Sequence, residues 1–427
     1  MKPFFRRVLV VFAWMIGLVV AVTVIQWSLI CPVYDFPRAQ PFEGSKWFNP
    51  YADVNGHDWK LCNFQVQSNA WAGITNGRNS SVNDIEATYK ELGYDALGIS
   101  DYMSINEQVD TSSFSVSMYE HGYGIMKHHQ LCLGAEKVWF FDFPIFQCTH
   151  SKQFVIDRLR PQCKVLAIAH PALRNAYDAC DMEQLSGYDL VEALNHIKFS
   201  LPQWDAALSA GRPVYIIAND DNHDIRKVYD YGRLATVVSS GTNQQNQILE
   251  SLQQGKAYGL EIYTPDRETH ELKVERFRDL PHLHQCALQG DTVLLASSQP
   301  IHHIKVMHQN GEVFLDSTIT QGAEQISFSI ANAVSYARIE VEAGKKHLLY
   351  LNPIMKSSTG KKPFVQMAQV NPGKTTNRRV LGFAFIFLMG GVFYLYLQRR
   401  KNVRMLHIEI SFRPKVKVSS HGLRKLR

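Results

Sequence analysis

Two long uncharged runs, one near each end of the chain, constrain the fold more than any other feature. The first is Val8–Ile30, and the second is Val380–Leu397, which a basic run from Gln398 to Lys401 ends abruptly. An apolar helix of roughly 20 residues crosses the ~30 Å hydrocarbon layer of a bilayer. Both runs are therefore predicted to be transmembrane helices. The alternatives are a cleaved signal peptide for the first run, which lacks a small-x-small cleavage site, and a buried core helix for the second.

Lysine and arginine are concentrated at the two ends of the chain. Residues 398–427 carry a charge of +9 and the first thirty residues +3, which leaves −6 for residues 31–397. The positive-inside rule then places both termini in the cytosol and the central region outside it, although a smaller basic group, Lys374 to Arg379, favours the opposite. The expected partners are the lipid bilayer and an unknown extracytosolic ligand or protein. Nucleic acid is excluded, because domains that bind it carry their own basic surface. The basic tail either lies against anionic headgroups or is a solvated topogenic signal.

Seven cysteines would lie at or beyond the outer membrane face: Cys31, Cys62, Cys132, Cys148, Cys163, Cys180 and Cys286. An oxidising compartment permits disulfides. Free cysteines also pack in cores as small hydrophobic residues, and the sequence leaves both possibilities open.

The region between the two runs divides by pattern into an α/β part and a β part. From residue 61 to 263, short apolar runs alternate with helical stretches such as Val82–Leu92, which predicts a mostly parallel α/β domain. From 264 to 355, short alternating segments with a turn at Asn310-Gly311 predict a small all-β sandwich. The full predicted division is 1–7 cytosolic, 8–30 transmembrane, 31–60 lead-in, 61–263 α/β, 264–355 β-sandwich, 356–379 linker, 380–397 transmembrane and 398–427 cytosolic tail.

Polar residues follow several of the predicted strands where they end. In chain order these are Gln65 and Gln67, Asp101 and Tyr102, Glu136, His170, Glu192 and Asn195, and Asp220, Asp221 and His223. The carboxyl ends of parallel strands meet at one edge. Carboxylates and imidazoles gathered there suit one divalent metal such as Zn, Mn or Fe. The structural alternative is that the aspartates cap a helix and the other groups pair by hydrogen bonds.

The order of these segments resembles the polymerase-and-histidinol-phosphatase (PHP) superfamily of metal-dependent phosphoesterases, in its carbaryl-hydrolase and microcin-processing-like branch. That family opens with His-x-His, an Asp-Gly turn and Thr-Asp-His, and continues with Gly-x-Glu, His-Pro, Glu-x-x-Asn and Asp-Asp-x-His. The matching segments here are Gln65-Val66-Gln67, Asn76-Gly77, Ser100-Asp101-Tyr102, Gly134-Ala135-Glu136, His170-Pro171, Glu192 to Asn195, and Asp220 to His223. The resemblance covers about residues 61–355 and implies a distorted (β/α)7 barrel followed by a small β-sandwich domain.

Four positions depart from the family's metal ligands. Gln65 and Gln67 stand where it has histidines, Asn76 where it has aspartate, and Tyr102 where it has histidine. A neutral amide oxygen is a weak ligand for a borderline metal, and a tyrosine must ionise from a pKa near 10 to ligate strongly.

The resemblance implies a metal site with fewer ligands than the family has. Its matching ligands are Glu136, His170, Asp221 and His223, and its surrounding residues are Asp101, Glu192, Asn195 and Asp220. This implies a pseudoenzyme or binding module that recognises an extracytosolic partner. The alternative is a phosphoesterase or related hydrolase with one surviving metal. A third hypothesis gives the function to the two membrane helices, as part of a membrane assembly.

Overall fold

The computed structural model describes residues 3–54, 56–73, 80–106 and 114–411. The helices are α1 Pro3–Ile25, α2 Val82–Glu91, α3 Thr149–Leu159, α4 Ala179–Gln184, α5 Leu201–Ser209, α6 Gln245–Gln254, α7 His270–Phe277 and α8 Pro372–Ser411. The strands are β1 Tyr34–Asp35, β2 Lys46–Phe48, β3 Trp59–Val66, β4 Ala96–Ile99, β5 Ser115–Val116, β6 Met118–His121, β7 Gln130–Leu133, β8 Val165–Ile168, β9 Leu190–Asn195, β10 Tyr215–Asn219, β11 Leu234–Ser239, β12 Ala257–Glu261, β13 Leu283–Gln289, β14 Thr292–Met307, β15 Val313–Ser329, β16 Tyr336–Ala343, β17 His347–Leu351, β18 Ile354–Ser357 and β19 Gln369–Val370.

Contacts divide the chain into two units, and the first contains the long terminal helices α1 and α8. A π-helical turn, Gln26–Ile30, continues α1. Two stretches, Val8–Ile30 and Pro372–Arg400, are helical, long and apolar enough to cross a membrane. The second helix begins at Pro372, so it includes the last part of the predicted linker.

The two apolar helices pack against each other within this unit. The ring centroids of Trp14 and Phe393 lie 4.9 Å apart, edge to face. Gly382 lies so close to Ser28 that a β-carbon at residue 382 would overlap the serine side chain. Small residues at such contacts let two membrane helices approach closely.

The second unit, residues 31–371, is built on two sheets. The smaller has the order β10-β9-β8-β7-β6, and the larger runs β13-β14-β16-β17-β12-β11-β3-β4-β5, with β15 paired to β14. β3 is parallel to β4, and β8, β9 and β10 are parallel to one another. Parallel bridges join Val66 to Asn222 and Tyr102 to Glu120, which links the two sheets in the same strand direction. The carboxyl ends of these strands therefore converge on one edge, here called the carboxyl edge.

Local sequence signals explain the helices and strands of this α/β part. The Ser81 hydroxyl accepts a hydrogen bond from the Asp84 backbone N–H and caps α2, which buries Val82, Ile85 and Tyr89. The central strands are apolar on both faces because helices or other strands cover both. The predicted helix over residues 82–92 is confirmed within one residue of its end.

The β-rich part, from β13 to β18, extends the larger sheet. β17 pairs with β12, and one hydrophobic core runs from Val66 and Tyr89 to Val293 and Leu349. Hydrogen bonding and core packing therefore continue across the boundary predicted at residue 263.

A buried ion pair also joins the two parts. Arg338 of β16 donates two hydrogen bonds of 2.9 Å to the carboxylate of Asp205 in α5. Arg338 is 3% exposed and Asp205 is 7% exposed. Buried ion pairs are costly to break, because the remaining charge is left without a partner.

The long hairpin β14–β15 turns at Asn310-Gly311, as the sequence predicts. Both residues are in the left-handed region, with φ of 63° and 72°. Asparagine and glycine adopt this conformation at low cost, which explains the choice of residues.

The chain enters and leaves the second unit through a two-stranded ribbon. β1 pairs antiparallel with β19, with Tyr34 opposite Val370 and Asp35 opposite Gln369. The Asn371 amide donates to the Asp35 carboxylate at 2.7 Å. The segments that lead from the two apolar helices are therefore held side by side.

Cys62, Cys132 and Cys286 are buried thiols in this unit. Burial raises the pKa of Cys286 to about 12. These thiols pack as small apolar residues, which agrees with one of the two possibilities left open by the sequence.

Candidate functional site

Most of the residues that the sequence singles out do meet at the carboxyl edge. Hydrogen bonds and ion pairs there involve Gln65, Gln67, Asp101, Tyr102, His170, Glu192, Asn195, Asp221 and His223. Asn76 and the tail beyond residue 411 lie outside the described residues. Glu136 and Asp220 lie elsewhere.

Glu120, His129 and His170 form a buried cluster at this edge. Glu120 Oε1 is 2.5 Å from His129 Nδ1 and 3.2 Å from His170 Nε2. One ligand atom from each residue lies within 4.8 Å of the other two. None of the three side chains is more than 2% exposed. Two histidines and a carboxylate are the ligand set of many single-metal sites.

The β6–β7 hairpin explains why Glu120 and His129 replace Glu136 in this cluster. β7 runs antiparallel to β8, and Gln130 at its start is paired with Ile168. His129 therefore lies at the carboxyl edge, whereas Glu136, beyond the end of β7, is exposed at the opposite edge. An antiparallel strand has the same apolar pattern as a parallel one, so only the Glu-x8-His spacing of a short hairpin could have indicated the pair.

Gln65 and Gln67 direct their amide nitrogens at carboxylates. Gln67 Nε2 donates to Glu120 Oε2 at 2.8 Å and to the Ser100 carbonyl at 2.7 Å. With its amide turned to satisfy both groups, Gln65 donates to Glu192 Oε2 at 2.8 Å. The two amides therefore donate hydrogen bonds to carboxylates. The PHP resemblance implies metal-binding imidazoles at these two positions.

Glu192 lies at the centre of a second buried network. Its Oε2 accepts from the His170 backbone N–H at 2.9 Å and from Asn195 Nδ2 at 3.1 Å. Its Oε1 accepts from Asn219 Nδ2 at 2.8 Å. Asn195 Nδ2 also donates to Asp221 Oδ2 at 3.0 Å. His170 thus belongs to both networks, which makes the site continuous.

His223 is the most accessible imidazole of the site. Its Nε2 is 3.7 Å from Asp221 Oδ1, and its side chain is 29% exposed, against 4% for Asp221. The other ring nitrogen, Nδ1, has no hydrogen-bond partner among the described residues. The pair therefore offers a partly exposed imidazole beside a buried carboxylate, and its Nδ1 is buried.

Asp101 and Tyr102 support the cluster from the loop after β4. Asp101 accepts from the backbone N–H and the hydroxyl of Ser68, at 2.8 and 2.7 Å. The Tyr102 ring meets the His129 ring edge to face at 5.2 Å, and Lys127 Nζ donates to Tyr102 Oη at 3.3 Å. Burial, with the charge of nearby carboxylates, raises the pKa of Tyr102 far above its usual value, so its hydroxyl stays protonated.

Asp220 points away from the site and holds the structure together. Its Oδ1 accepts from the backbone N–H groups of Arg233 and Leu234, both at 2.9 Å. Its Oδ2 accepts from the Gly232 N–H and the Tyr89 hydroxyl, both at 2.7 Å. The sequence groups Asp220 with the residues around the site, but its four partners belong to a turn, to the first residue of β11 and to helix α2.

The charges of the cluster keep Glu120 and His129 in the forms that bind metals, and keep His170 protonated. Burial by itself would raise the pKa of Glu120, but His129 and His170 hold it well below its usual range. Burial lowers the pKa of His129 despite the neighbouring Glu120. Burial would also lower the pKa of His170, but Glu120, Glu192 and Asp221 raise it to about 9. Burial raises the pKa of Glu192 to about 8, against the opposing charge of His170. An ionised carboxylate and a neutral imidazole are the forms that ligate a metal, so a metal bound here would release the proton of His170.

Strained backbone is concentrated in the loops at the carboxyl edge. Non-glycine residues there adopt left-handed φ values: Met103 50°, Lys127 62°, His170 28°, Arg174 54° and Asp221 48°. Each such residue costs on the order of 1–3 kcal/mol, and they gather at functional sites, where the surrounding fold fixes them.

The three cluster residues fit one transition-metal ion. Nitrogen and oxygen ligands lie at ~2.0–2.2 Å from zinc, so two ligand atoms at a tetrahedral angle are roughly 3.3–3.5 Å apart. The 3.2 Å between Glu120 and His170 agrees with that spacing. The 2.5 Å between Glu120 and His129 is a direct hydrogen bond, and would widen on metal binding.

Comparison with known proteins gives one structural likeness. No family model matches the sequence, and no curated protein matches it. The structure is similar to the crystal structure of a two-domain protein containing a predicted PHP-like metal-dependent phosphoesterase from Bacteroides vulgatus, with 12% identity and a TM-score of 0.37, over 79% of this chain and 99% of that one.

Proposed function

We propose that residues 31–371 form a membrane-anchored extracytosolic hydrolase that uses one divalent metal, Zn, Mn or Fe, to cleave a phosphoester or a related bond. The observation that carries this proposal is the buried cluster of Glu120, His129 and His170, whose ligand atoms lie within 4.8 Å of one another. The cluster differs from the set expected from the sequence, because its glutamate and two imidazoles have ligand atoms that lie close together. The strained loops around it support a functional site.

The ligands and the residues around them would divide the chemistry. Glu120, His129 and His170 would hold the metal, which as a Lewis acid polarises a phosphoryl oxygen. Lys127 lies beside Tyr102 and contributes to the low pKa of His129, so its cation is close enough to attract an anionic substrate. The Tyr102 hydroxyl, which stays protonated, can donate a hydrogen bond to the same group.

Proton transfer is proposed for His223. Asp221 lies 3.7 Å from its Nε2, and this partly exposed ring would take a proton from water or give one to the leaving oxygen. General acid–base catalysis by a positioned imidazole contributes typically 10²–10⁴-fold to a rate. The Asp221–His223 pair is linked to the metal cluster through Asn195 and Glu192.

The substrate class follows from the resemblance to the PHP superfamily. The parallel strands, the bridges that join the two sheets and the ligand-bearing edge support a closed, distorted barrel with a β-sandwich attached. The order of the strand-end motifs supports the carbaryl-hydrolase and microcin-processing-like branch. Membrane attachment through both apolar helices, with the two termini in the cytosol, is part of the same proposal and rests on their length and on the basic ends.

Metal content tests the proposal. The full chain, purified in detergent, is analysed by elemental mass spectrometry beside Glu120→Gln, His129→Gln and the control Glu136→Gln, which removes an exposed carboxylate from the opposite edge. We expect about one transition metal per chain in the parent and the control, and loss of the metal from the two cluster variants. Turnover of p-nitrophenyl phosphate or its diester should follow the metal. Metal that remains in both folded cluster variants would refute the assignment.

A second function, a metal-free binding module, is favoured by the two glutamine amides. Gln67 and Gln65 already donate to Glu120 and Glu192, so these carboxylates have partners without a cation. A parent protein that is folded and free of metal after exposure to Zn, Mn and Fe would select this function over hydrolysis.

A further inference from the structure

A separate cavity lies at the opposite end of the strands from the metal cluster. It has a volume of 220 Å³ and opens between the amino ends of β9 and β10 and the segment 362–367. The site at the carboxyl edge is the full length of these strands away, about 16 Å for five residues. The cavity therefore serves no step of the proposed hydrolysis.

The walls of this cavity are basic. Arg160, Arg212 and Lys362 line it together with one carboxylate, Asp189, so it carries a net charge of about two positive units. Asp189 is already paired with Arg160 at 3.2 Å. Lys362 also lies close enough to Asp189 to interact with its charge, so the guanidinium of Arg212 is the cation left for an anion.

Arg212 is a buried cation that lacks an anionic partner. It is 3% exposed, and within the described residues no carboxylate lies within 4.0 Å of its guanidinium. It donates instead to backbone carbonyls, at 2.9 and 3.1 Å to Glu183, 3.3 Å to Pro37 and 3.4 Å to Gln366. Buried charges in proteins are usually paired, and here the free space beside the charge is the cavity itself.

A second buried polar group faces the same space without a partner. Tyr188 is 7% exposed, and its hydroxyl makes no hydrogen bond within the described part of the chain. Arg212 lies near enough to Tyr188 to lower the pKa that burial raises. A hydroxyl and a guanidinium that converge on one cavity form a ready site for a phosphate oxygen.

The chain segments around the cavity lead directly to the two apolar helices. Pro37, which Arg212 contacts, follows Ile30 by seven residues, a length that extends about 25 Å at most. On the other side, the segment with Phe364 and Met367 precedes α8. Phe364 is 87% exposed and Met367 is 44% exposed. Exposed apolar side chains beside basic groups are typical of segments that lie at a membrane interface.

We propose that this cavity binds the phosphate-bearing headgroup of an anionic membrane lipid. Arg212 and Tyr188 contact the phosphate, Lys362 adds charge at the mouth, and Phe364 and Met367 contact the acyl region. The proposal rests on the membrane attachment described under the proposed function, and does not depend on the metal.

Lipid retention tests this site. The full chain is purified in detergent, exposed to mixed micelles of phosphatidylglycerol and phosphatidylcholine, and examined by native mass spectrometry. We expect the parent to retain about one phosphatidylglycerol, with at least tenfold preference over phosphatidylcholine. Arg212→Gln should lower that retention about tenfold or more, since it removes a charge-assisted hydrogen bond. Tyr188→Phe should lower it several-fold without changing the thermal midpoint, because its hydroxyl has no hydrogen-bond partner among the described residues.

The control and the contrary outcomes separate the sources of the anion. Arg278→Gln removes an exposed charge beyond α7 and should retain lipid as the parent does. Equal retention of both lipids, or unchanged retention in folded Arg212→Gln or Tyr188→Phe, would overturn the proposal. Stabilisation by glycerol 3-phosphate without retention of phosphatidylglycerol would identify a soluble anion and overturn the lipid assignment. Resistance of the chain to carbonate extraction from membranes is measured separately, so that failure of the lipid site and failure of the membrane anchor are distinguishable.

Discussion

Replacement of Asp220 by alanine should destabilise the protein and leave the metal cluster intact. The change removes a buried carboxylate that accepts four hydrogen bonds. Three of these come from backbone N–H groups and one from the Tyr89 hydroxyl. Each hydrogen bond to a charged group contributes about 1.5–3 kcal/mol, but part of the loss is offset because a buried carboxylate is removed as well. A net loss of about 3–5 kcal/mol in the free energy of unfolding follows. The adjacent Asp221→Ala, which loses one side-chain hydrogen bond, should lose less stability.

Thermal unfolding in detergent measures the difference between the two aspartates. The second unit contains about 340 residues, which corresponds to an unfolding entropy of roughly 0.7 kcal/mol/K, so 3–5 kcal/mol lowers the midpoint by about 4–7 °C. Metal content should stay near the parent value in folded Asp220→Ala, whereas Asp221→Ala should lose hydrolytic activity. A midpoint within 1 °C of the parent, together with reduced metal content, would show that Asp220 belongs to the site and would refute this reasoning.

Three further predictions concern other parts of the chain. Burial lowers the pKa of His347 to about 4, so between pH 6.5 and 4 the unfolded state binds more protons than the folded state. The free energy of unfolding should therefore fall by up to about 3 kcal/mol as the pH drops through this range. Denaturant titrations of His347→Gln should show a smaller loss. Gly382→Leu should separate the two apolar helices and increase their hydrogen exchange, whereas Gly390→Leu, with open space around it, should not. Arg338→Met should cost about 3–5 kcal/mol in one thermal transition, and adding Asp205→Asn should recover part of that loss; two separate transitions would contradict the shared core.

The secondary structure was predictable where the signals are local. Helix α2 has a serine at its amino cap, apolar residues at helical spacing, and Gly93 beyond its end with φ of 82°. The turn at Asn310-Gly311 is similarly encoded in two adjacent residues. Such features depend on neighbours within a few positions, so the sequence carries them directly.

The site was predictable only in part, because its geometry depends on strand direction. Asp221, His170 and the two glutamines follow strands that run parallel, and the assumption of a common edge holds for them. The β6–β7 hairpin reverses one strand, so Glu120 and His129 lie at the carboxyl edge and Glu136 lies at the opposite edge. No local pattern distinguishes a buried antiparallel strand from a parallel one. The hydrogen bonds of Asp220 were not predictable for a related reason, since its partners lie on a later turn, a later strand and an earlier helix.

The boundary predicted at residue 263 illustrates a further limit. A change from a mixed α/β to a β-rich sequence pattern indicates a new type of structure. The pairing partner of a strand, however, can come from any part of the chain. β17 pairs with β12, from which it is separated by β13 to β16, and the sheet therefore continues where the texture changes.

The ribbon formed by β1 and β19 has a consequence for proteolytic release. Since the two connecting segments pair with each other and Arg212 donates to a carbonyl of each, cleavage in one segment leaves the unit covalently joined through the other. Hydrogen bonds across the ribbon also hold the cut end in place. With the membrane attachment proposed above, shedding of a soluble fragment takes two cuts, one in each segment. A protease that cleaves once would then produce a nicked protein that stays with its anchor.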